Sequence, residues 1–147
     1  KNIIKIDKDW ALRYENSYKL KVVNLLKERS YSLIDLIDNG TYFFNNNIIY
    51  DLNLKKKFWD ENSFQILNEY EILISKLKKW EIKNIEEISK DFMVSMNLGF
   101  AKVVKPVRFI ISGVLSGPPI YEIIYLIGKD NFKKRLNRAL KELKNES

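Results

Sequence analysis

Apolar residues recur every three or four positions along most of this chain, and this spacing constrains the fold more than any other feature. The clearest runs are Phe64, Leu67, Tyr70, Ile74 and Leu77, followed by Ile85, Ile88, Phe92 and Met96. A period near 3.6 residues places such side chains on one face of an α-helix, whereas a half-buried strand alternates at every second residue. No convincing strand alternation is present. We therefore predict an all-α fold.

Polar residues mark where the two longest helices begin and end. Asn62 and Gln65 have the spacing of a reciprocal cap ahead of the first helix, and Asn84 and Glu87 have it ahead of the second. Gly99 suits a C-terminal stop for the second helix. These signals predict two helices in the middle of the chain.

Two shorter helices are predicted nearer the N-terminus, over residues 18–28 and 32–37. The second opens with Ser32 and Asp35 at the spacing of a capping box. Residues 42–54 give the weakest helical signal, because three successive asparagines favour a turn. We place an internal boundary near the end of this stretch. It divides the chain into two small helical subdomains in tandem, residues 1–53 and 54–147.

Glycine and proline divide the C-terminal part into three short helices. Pro106 suits the first turn of a helix that ends near Gly113. Pro119 begins a second helix that ends at Gly128, and the third follows Asp130. The amphipathic pattern of the third is expected to bury Phe132, Leu136, Leu140 and Leu143 and to expose Lys133, Lys134, Arg138 and Lys141.

The positive charge lies mainly in the C-terminal part of the chain. The net charge is +7, and residues 100–141 contain nine basic and two acidic residues, which equals that whole net charge. Such a cluster is a candidate binding surface for nucleic-acid phosphates, with Lys105, Lys133, Lys134, Arg138 and Lys141 as the candidate contacts. A solvated helix face explains the cluster equally well. Abundant Lys, Ile and Asn also reflect the codon usage of an AT-rich genome.

The chain contains no Cys and no His. This composition excludes cysteine and histidine zinc sites, disulfides, thiol nucleophiles and histidine-based triads. The most apolar window, residues 109–128, is interrupted by Pro118, Pro119 and Glu122, so we expect no transmembrane segment. Residues 1–10 mix charge with isoleucine and do not resemble an export signal. We expect a cytoplasmic protein.

Several short motifs in the C-terminal part occur in a characteristic order and spacing. They are Pro106-Val107-Arg108, Ser112-Gly113, Gly117-Pro118, Ile120, Leu126-x-Gly128-Lys129 and Arg135-Leu136-x-x-Ala139-Leu140. Together they resemble the closing signature of bacterial-type glutamyl-tRNA synthetases. Upstream, Leu25-x-x-Glu28-Arg29-x-x-x-Leu33 and Tyr42-Phe43-Phe44 are similar to the start of that family's anticodon region. The nucleotide-binding motifs of the family's catalytic domain are absent.

The resemblance implies a helical anticodon-binding fragment of a longer glutamate-tRNA ligase, without catalytic activity or cofactors of its own. Arg29 matches an arginine associated with reading the third anticodon base, and Arg108 matches one that contacts anticodon bases. Gly117, Pro118 and Ile120 match the loop and helix start that pack on the first two bases, although the family often has Ser or Thr where Gly117 stands. A planar guanidinium suits base edges better than an ammonium does.

The expected partner is the anticodon arm of glutamate tRNA, bound by a monomer, with ATP and magnesium used by the full-length enzyme. Two other interpretations remain open. In the first, the chain is the equivalent region of a class I lysyl- or glutaminyl-tRNA synthetase. In the second, it is a helical protein-interaction module whose basicity is incidental. Binding to the corresponding anticodon stem-loops distinguishes the first interpretation, and capture of a protein partner distinguishes the second.

Overall fold

A computed structural model describes residues 14–143 of the chain, and this part contains helices and no β-strand. The α-helices are α1 (Asn16–Leu26), α2 (Leu33–Gly40), α3 (Leu52–Lys55), α4 (Ser63–Ile74), α5 (Ile82–Ser95), α6 (Phe100–Ser112), α7 (Ile120–Ile127) and α8 (Lys129–Leu143). Short 3-10 turns, Lys27–Arg29 and Thr41–Phe43, follow α1 and α2. The predicted all-α fold class is confirmed.

The core lies where α4, α6 and α8 pack against one another, while α5 covers α4 and α7. Its most buried side chains include Phe109, Ile110, Ile123 and Phe132. Burying one such side chain contributes roughly 1.5–3 kcal/mol. The apolar residues predicted for the inner face of α8 are all buried. The 3.6-residue period therefore identified the core face of this helix correctly.

The N-terminal helices share this core. Val22 and Leu26 of α1 are buried in the same cluster of apolar side chains as Phe109 and Phe132, and α1 contacts both α2 and α7. Tyr42 and Phe43 of the second 3-10 turn join the cluster as well. The division into subdomains at residues 53 and 54 stays a prediction.

The Ser32 cap predicted at the start of α2 is present, and the return bond of the predicted capping box goes to Tyr31 in place of Ser32. The Ser32 hydroxyl oxygen accepts from the amide N–H of Asp35 at 3.1 Å, and the Asp35 carboxylate accepts from the amide N–H of Tyr31 at 3.1 Å. The first bond satisfies one of the amides that the helix itself leaves unpaired, and the second joins the first turn of the helix to the residue before its cap.

The capping pairs predicted for α4 and α5 are not formed. Asn62 occupies the position before α4 but makes no side-chain cap bond. The second helix begins at Ile82, so Asn84 lies inside α5 and donates to the carbonyl of Lys79 at 3.2 Å. Both predictions were wrong. Ahead of α4 the Asp60 carboxylate accepts from the amide N–H of Asn62 at 2.8 Å, and ahead of α5 the Asn84 side chain binds a backbone carbonyl in place of a helix amide.

Two predicted helix boundaries in this region also differ from the structure. Asn97, not Gly99, stops α5: its φ is +54°, and the amide N–H of Leu98 donates to the Met93 carbonyl at 2.8 Å, as in a Schellman motif. Gly99 instead precedes the first turn of α6. Pro106 is buried within α6, so the helix begins six residues earlier than predicted.

Residues 44–51, here named the strap, form an irregular segment between the second 3-10 turn and α3. Side chains from distant helices hold its backbone. Arg138 of α8 donates to the carbonyls of Asn46 at 3.2 Å and Ile48 at 3.0 Å. The Tyr50 hydroxyl donates to the Ile110 carbonyl at 2.8 Å. The strap is therefore fastened to α6 and α8.

Between Tyr14 and Leu143, no helix has both the length and the apolarity that crossing a lipid bilayer requires. The most apolar window of the sequence, residues 109–128, is divided between α6, α7 and the segment that joins them.

Candidate nucleic-acid interface

Arg108 lies in the middle of α6 with its side chain half-buried. Its guanidinium donates from Nη1 to the carbonyl oxygen of Pro118 at 2.8 Å. Burial lowers the pKa of Arg108, with a further lowering from the positive charge of Arg29 and an opposing effect from Tyr42. One donor is thus used to hold the chain before α7, while a guanidinium has five N–H donors in all.

The chain between α6 and α7, residues 113–119, is here named the corner. Gly113 ends α6 with a left-handed φ of +78°, and its amide N–H donates to the Phe109 carbonyl at 2.7 Å. Gly117 has φ +155°, and a Cβ placed there would lie 3.2 Å from Nη1 of Arg108. The missing side chain therefore lets the Gly117 backbone lie directly beside the guanidinium.

Arg29 ends the 3-10 turn after α1, and its side chain is exposed. It lies close enough to influence the pKa values of both Arg108 and Tyr42. Arg29 also lines an open groove of about 800 Å³ between α1 and α7, together with Lys21, Glu28, Pro119, Glu122 and Tyr125. The structure therefore brings the N-terminal arginine to the same region as the corner.

Tyr42 belongs to this region and was not predicted as a site residue. It is buried, and its hydroxyl lies 3.8 Å from where a Cβ of Gly117 would be. Burial raises the pKa of Tyr42 to about 12 against the opposing effects of Arg108, Arg135 and Arg29. The aromatic run Tyr42–Phe44 was visible in the sequence, but its placement beside Arg108 depends on tertiary packing.

The proline and isoleucine predicted for the site occupy different environments. Pro118 is buried and supplies the carbonyl that Arg108 binds. Ile120 is only 3% exposed, so its side chain belongs to the core. Ile120 is also the first residue of α7, where backbone N–H groups have no partner within the helix and can donate to an external acceptor. Their contact with bases stays a prediction.

The candidate phosphate contacts are not equivalent. Lys105, Lys134 and Lys141 are exposed, and Lys133 is partly exposed. Arg138 was expected to face water, but its guanidinium binds two strap carbonyls and the Glu142 carboxylate, the latter at 2.9 Å. Because these bonds engage its guanidinium, Arg138 is less able to bind a phosphate than the lysines are. Its role in phosphate binding, like theirs, stays a prediction.

Other basic residues of the charged stretch are also engaged within the protein. Lys102 pairs with Asp60 at 2.5 Å, and Lys129 donates to the Leu77 carbonyl at 2.9 Å. Arg135 is only 2% exposed. The charge cluster read from the sequence is therefore only partly a surface feature.

The described residues form an all-helical domain in which Arg29 and Arg108 lie on either side of the corner's last residues, Pro118 and Pro119. The family comparison makes this class specific: a model described as an anticodon binding domain matches residues 4–140. The chain belongs to this anticodon-binding domain family.

Known proteins similar to the chain are glutamate-tRNA ligases. A relative from Christiangramia forsetii is 33% identical over 127 residues, which are 86% of this chain and 25% of that protein. A glutamate tRNA ligase from Elizabethkingia meningosepticum has a matching structure with a TM-score of 0.82 and 28% identity, over 88% of this chain and 26% of that one. The glutamate-tRNA synthetase of Elizabethkingia anophelis matches with a TM-score of 0.76 and 26% identity, covering 87% of this chain and 25% of that one.

The resemblance noted in the sequence is thus confirmed. The chain spans about a quarter of the length of the relatives that it matches.

Proposed function

We propose that this chain is the anticodon-binding part of a glutamate-tRNA ligase and binds the anticodon arm of glutamate tRNA. One observation carries the proposal beyond family membership: Arg29 and Arg108 are 79 residues apart in the sequence, yet Arg29 lines the same groove as Pro119 of the corner and Arg108 binds Pro118. Bases of an RNA loop are read by hydrogen bonds to their edges and by stacking, and arginine supplies both interactions.

The arrangement supports distinct roles for the two arginines. Arg108 is held by Pro118, so its remaining N–H donors are presented in a fixed orientation. A pre-oriented donor loses less conformational entropy when a base binds. Arg29 is exposed at the edge of the groove between α1 and α7. The groove is lined by apolar side chains as well as by carboxylates and cations, and it is large enough for an unstacked base.

The reaction itself is proposed for the longer enzyme. Attachment of glutamate to tRNA with ATP and magnesium is assigned to regions that the relatives have and this chain does not span, and no residue of the chain is assigned to those ligands. We propose that the enzyme acts as a monomer in the cytoplasm. An assay of glutamate-dependent pyrophosphate–ATP exchange tests this division: the chain alone should be inactive, and measurable exchange would contradict it.

Binding to anticodon stem-loops tests the tRNA proposal directly. Fluorescence anisotropy should show salt-sensitive binding to the stem-loop of glutamate tRNA. A stem-loop with the same stem and a scrambled anticodon is the matched control, and weaker binding to it is expected. Equal affinity for both would refute anticodon recognition. Tighter binding to the lysine or glutamine stem-loop would assign the chain to one of those enzymes, and no RNA binding at all would leave a protein-interaction module.

A further inference from the structure

Arg135 is a buried arginine with neutral hydrogen-bond partners. It lies on α8 and is 2% exposed. Its Nη1 donates to the Ile111 carbonyl at 2.6 Å, and its Nε donates to Oδ1 of Asn46 at 2.9 Å. The first partner is in the last turn of α6, and the second is in the strap. One guanidinium therefore connects three separate segments.

Burying this charge is unfavourable. Desolvation lowers the pKa of Arg135 to about 10, with opposing effects from the hydroxyls of Tyr14, Tyr18, Tyr42 and Tyr50. Replacing a buried charged side chain with an apolar one of similar volume often leaves the stability of a core unchanged or raises it. The hydrogen-bonding geometry of the guanidinium, more than the stability it adds, therefore distinguishes Arg135 from such a residue.

The network beyond Arg135 reaches the other end of the helix that follows the corner. Asn46 donates from Nδ2 to Oδ1 of Asn131 at 2.9 Å, and Asn131 donates to the Ile127 carbonyl at 2.9 Å. Ile127 is the last residue of α7. Through these bonds Arg135 connects the end of α6, which leads into the corner, with the end of α7.

The strap also contacts the corner directly. A Cβ at Gly113 would lie 3.1 Å from Cγ2 of Ile48 and 3.2 Å from the Ile49 carbonyl oxygen. Gly113 is the first residue of the corner, and the strap packs against its backbone. A shift of the strap therefore displaces the start of the segment that carries Gly117 and Pro118.

We propose that Arg135 is a positioning residue for anticodon recognition: by joining the end of α6 to the strap through Asn46, it sets the geometry of the corner that Arg108 binds. This role rests on the proposed function, since the corner matters for RNA only if it contacts the anticodon. Arg135 itself is 2% exposed, so its effect on RNA is exerted through Asn46 and the end of α6.

The test uses the whole chain with three substitutions. Arg135→Met removes the hydrogen bonds at similar volume, and Asn46→Ala removes one partner while Arg135 stays in place. Lys134→Met is the matched control, because it removes the same charge from the exposed side of α8. Two quantities are measured: anisotropy with the glutamate stem-loop at several salt concentrations, and hydrogen–deuterium exchange of the chain without RNA.

In Arg135→Met and Asn46→Ala, exchange should accelerate in residues 113–117 and stay unchanged in α4. The Kd for the cognate stem-loop should rise about tenfold in Arg135→Met, with an unchanged salt dependence because the buried guanidinium binds no phosphate. Lys134→Met should leave exchange in the corner unchanged. If Arg135→Met does not fold, Asn46→Ala decides the question by the same measurements.

Unchanged exchange in the corner would overturn the proposal, as would faster exchange throughout the chain, which indicates a purely structural role. Unchanged stem-loop affinity in folded variants would overturn it as well. If the unmodified chain binds no stem-loop, the proposed function fails, and the exchange measurement alone decides whether Arg135 positions the corner.

Discussion

The guanidinium of Arg108 and the carbonyl oxygen of Pro118 are joined by a hydrogen bond of 2.8 Å. This bond ties the middle of α6 to the residue that lies two positions before α7. The arginine and the corner consequently hold each other in place before any RNA binds. A change in either one is expected to affect binding by both.

Replacing Arg108 should weaken binding to the glutamate stem-loop. Arg108→Ala removes the donors proposed to bind the bases and also breaks the bond to Pro118, so we expect the Kd to rise at least tenfold, which corresponds to about 1.4 kcal/mol or more. Arg108→Lys should recover little, because an ammonium does not have the planar fork of donors. Lys105→Ala, one turn earlier on α6, is the control and should have a smaller effect. Anisotropy titrations measure all three, and a silent Arg108→Ala would contradict the assignment.

Arg29→Ala should reduce discrimination at the third anticodon base. In the unmodified chain, substituting that base in the stem-loop is expected to weaken binding about tenfold. The same base change should have little further effect in Arg29→Ala, because the side chain that we propose to read the base is no longer present. Lys27→Ala, from the same 3-10 turn, is the control. The measurement is a double-mutant cycle between residue and base. Additive effects would show that Arg29 does not read this base.

Gly117→Ala should destabilise the protein. The φ of +155° is rarely adopted by residues with a side chain, and the new Cβ would lie 3.2 Å from Nη1 of Arg108. We expect the free energy of unfolding in urea to fall by about 1 kcal/mol or more. Gly99→Ala is the control, because a Cβ there meets no atom within 4 Å. Equal stability of the two variants would show that the corner relaxes at no cost.

Removing the exposed lysines should change the salt dependence of binding more than its specificity. For each lysine–phosphate interaction that is removed, the slope of log K against log salt should become shallower by about 0.7 to 0.9. Lys134→Ala with Lys141→Ala should therefore flatten the slope while preserving the preference for the cognate anticodon. Titrations at several salt concentrations measure this effect. An unchanged slope in the double variant would show that these lysines do not contact phosphates.

Tyr42 should make the protein less stable in alkali. Its pKa is about 12 in the folded protein and near 10 when unfolded, so the folded state retains the proton longer. The stability from this difference is complete below pH 10 and falls as the pH rises towards 12, by an amount on the order of 2 kcal/mol. Urea unfolding at increasing pH should show a shallower fall for Tyr42→Phe than for the unmodified chain.

Two comparisons secure the alkaline prediction. The lowered pKa of Arg135 changes stability with pH in the opposite direction, because the folded state loses that proton before the unfolded state does. Arg135 is present in both proteins, so its contribution cancels when they are compared. Tyr31→Phe, at a site that is 96% exposed, is the control and should behave like the unmodified chain. An unchanged pH dependence in Tyr42→Phe would contradict the assigned burial effect.

Sequence periodicity predicted the faces of helices better than their ends. The apolar spacing of α8 identified its buried face because burial follows the helical repeat directly. Pro106 misled the prediction for α6 because proline favours a first turn, yet its missing N–H and its ring are accommodated inside this buried helix. Helix ends depend on individual backbone bonds, as Asn97 shows where it replaces the expected Gly99.

The candidate site was only partly predictable for a related reason. Arg29, Arg108 and Gly117 were identified through resemblance, and the structure then placed them in one region. Tyr42 and Arg135 carried no local signal of their positions. The partner of Arg135 in the strap is 89 residues away in the sequence, and no short-range pattern predicts such a contact. Arg138 was expected to face water for the same reason, because its carbonyl partners in the strap are 92 and 90 residues away in the sequence.

Because α8 holds the strap, the strap can take its final position only late in the synthesis of this part of the chain. Arg135 and Arg138 are translated about 90 residues after the strap carbonyls and amide that they bind. Before α8 has been translated, the strap has none of these partners, whereas the bond from Arg108 can already hold the corner. A nascent chain can complete its helices one after another, but the strap and the corner reach their final geometry only after α8 has been synthesised.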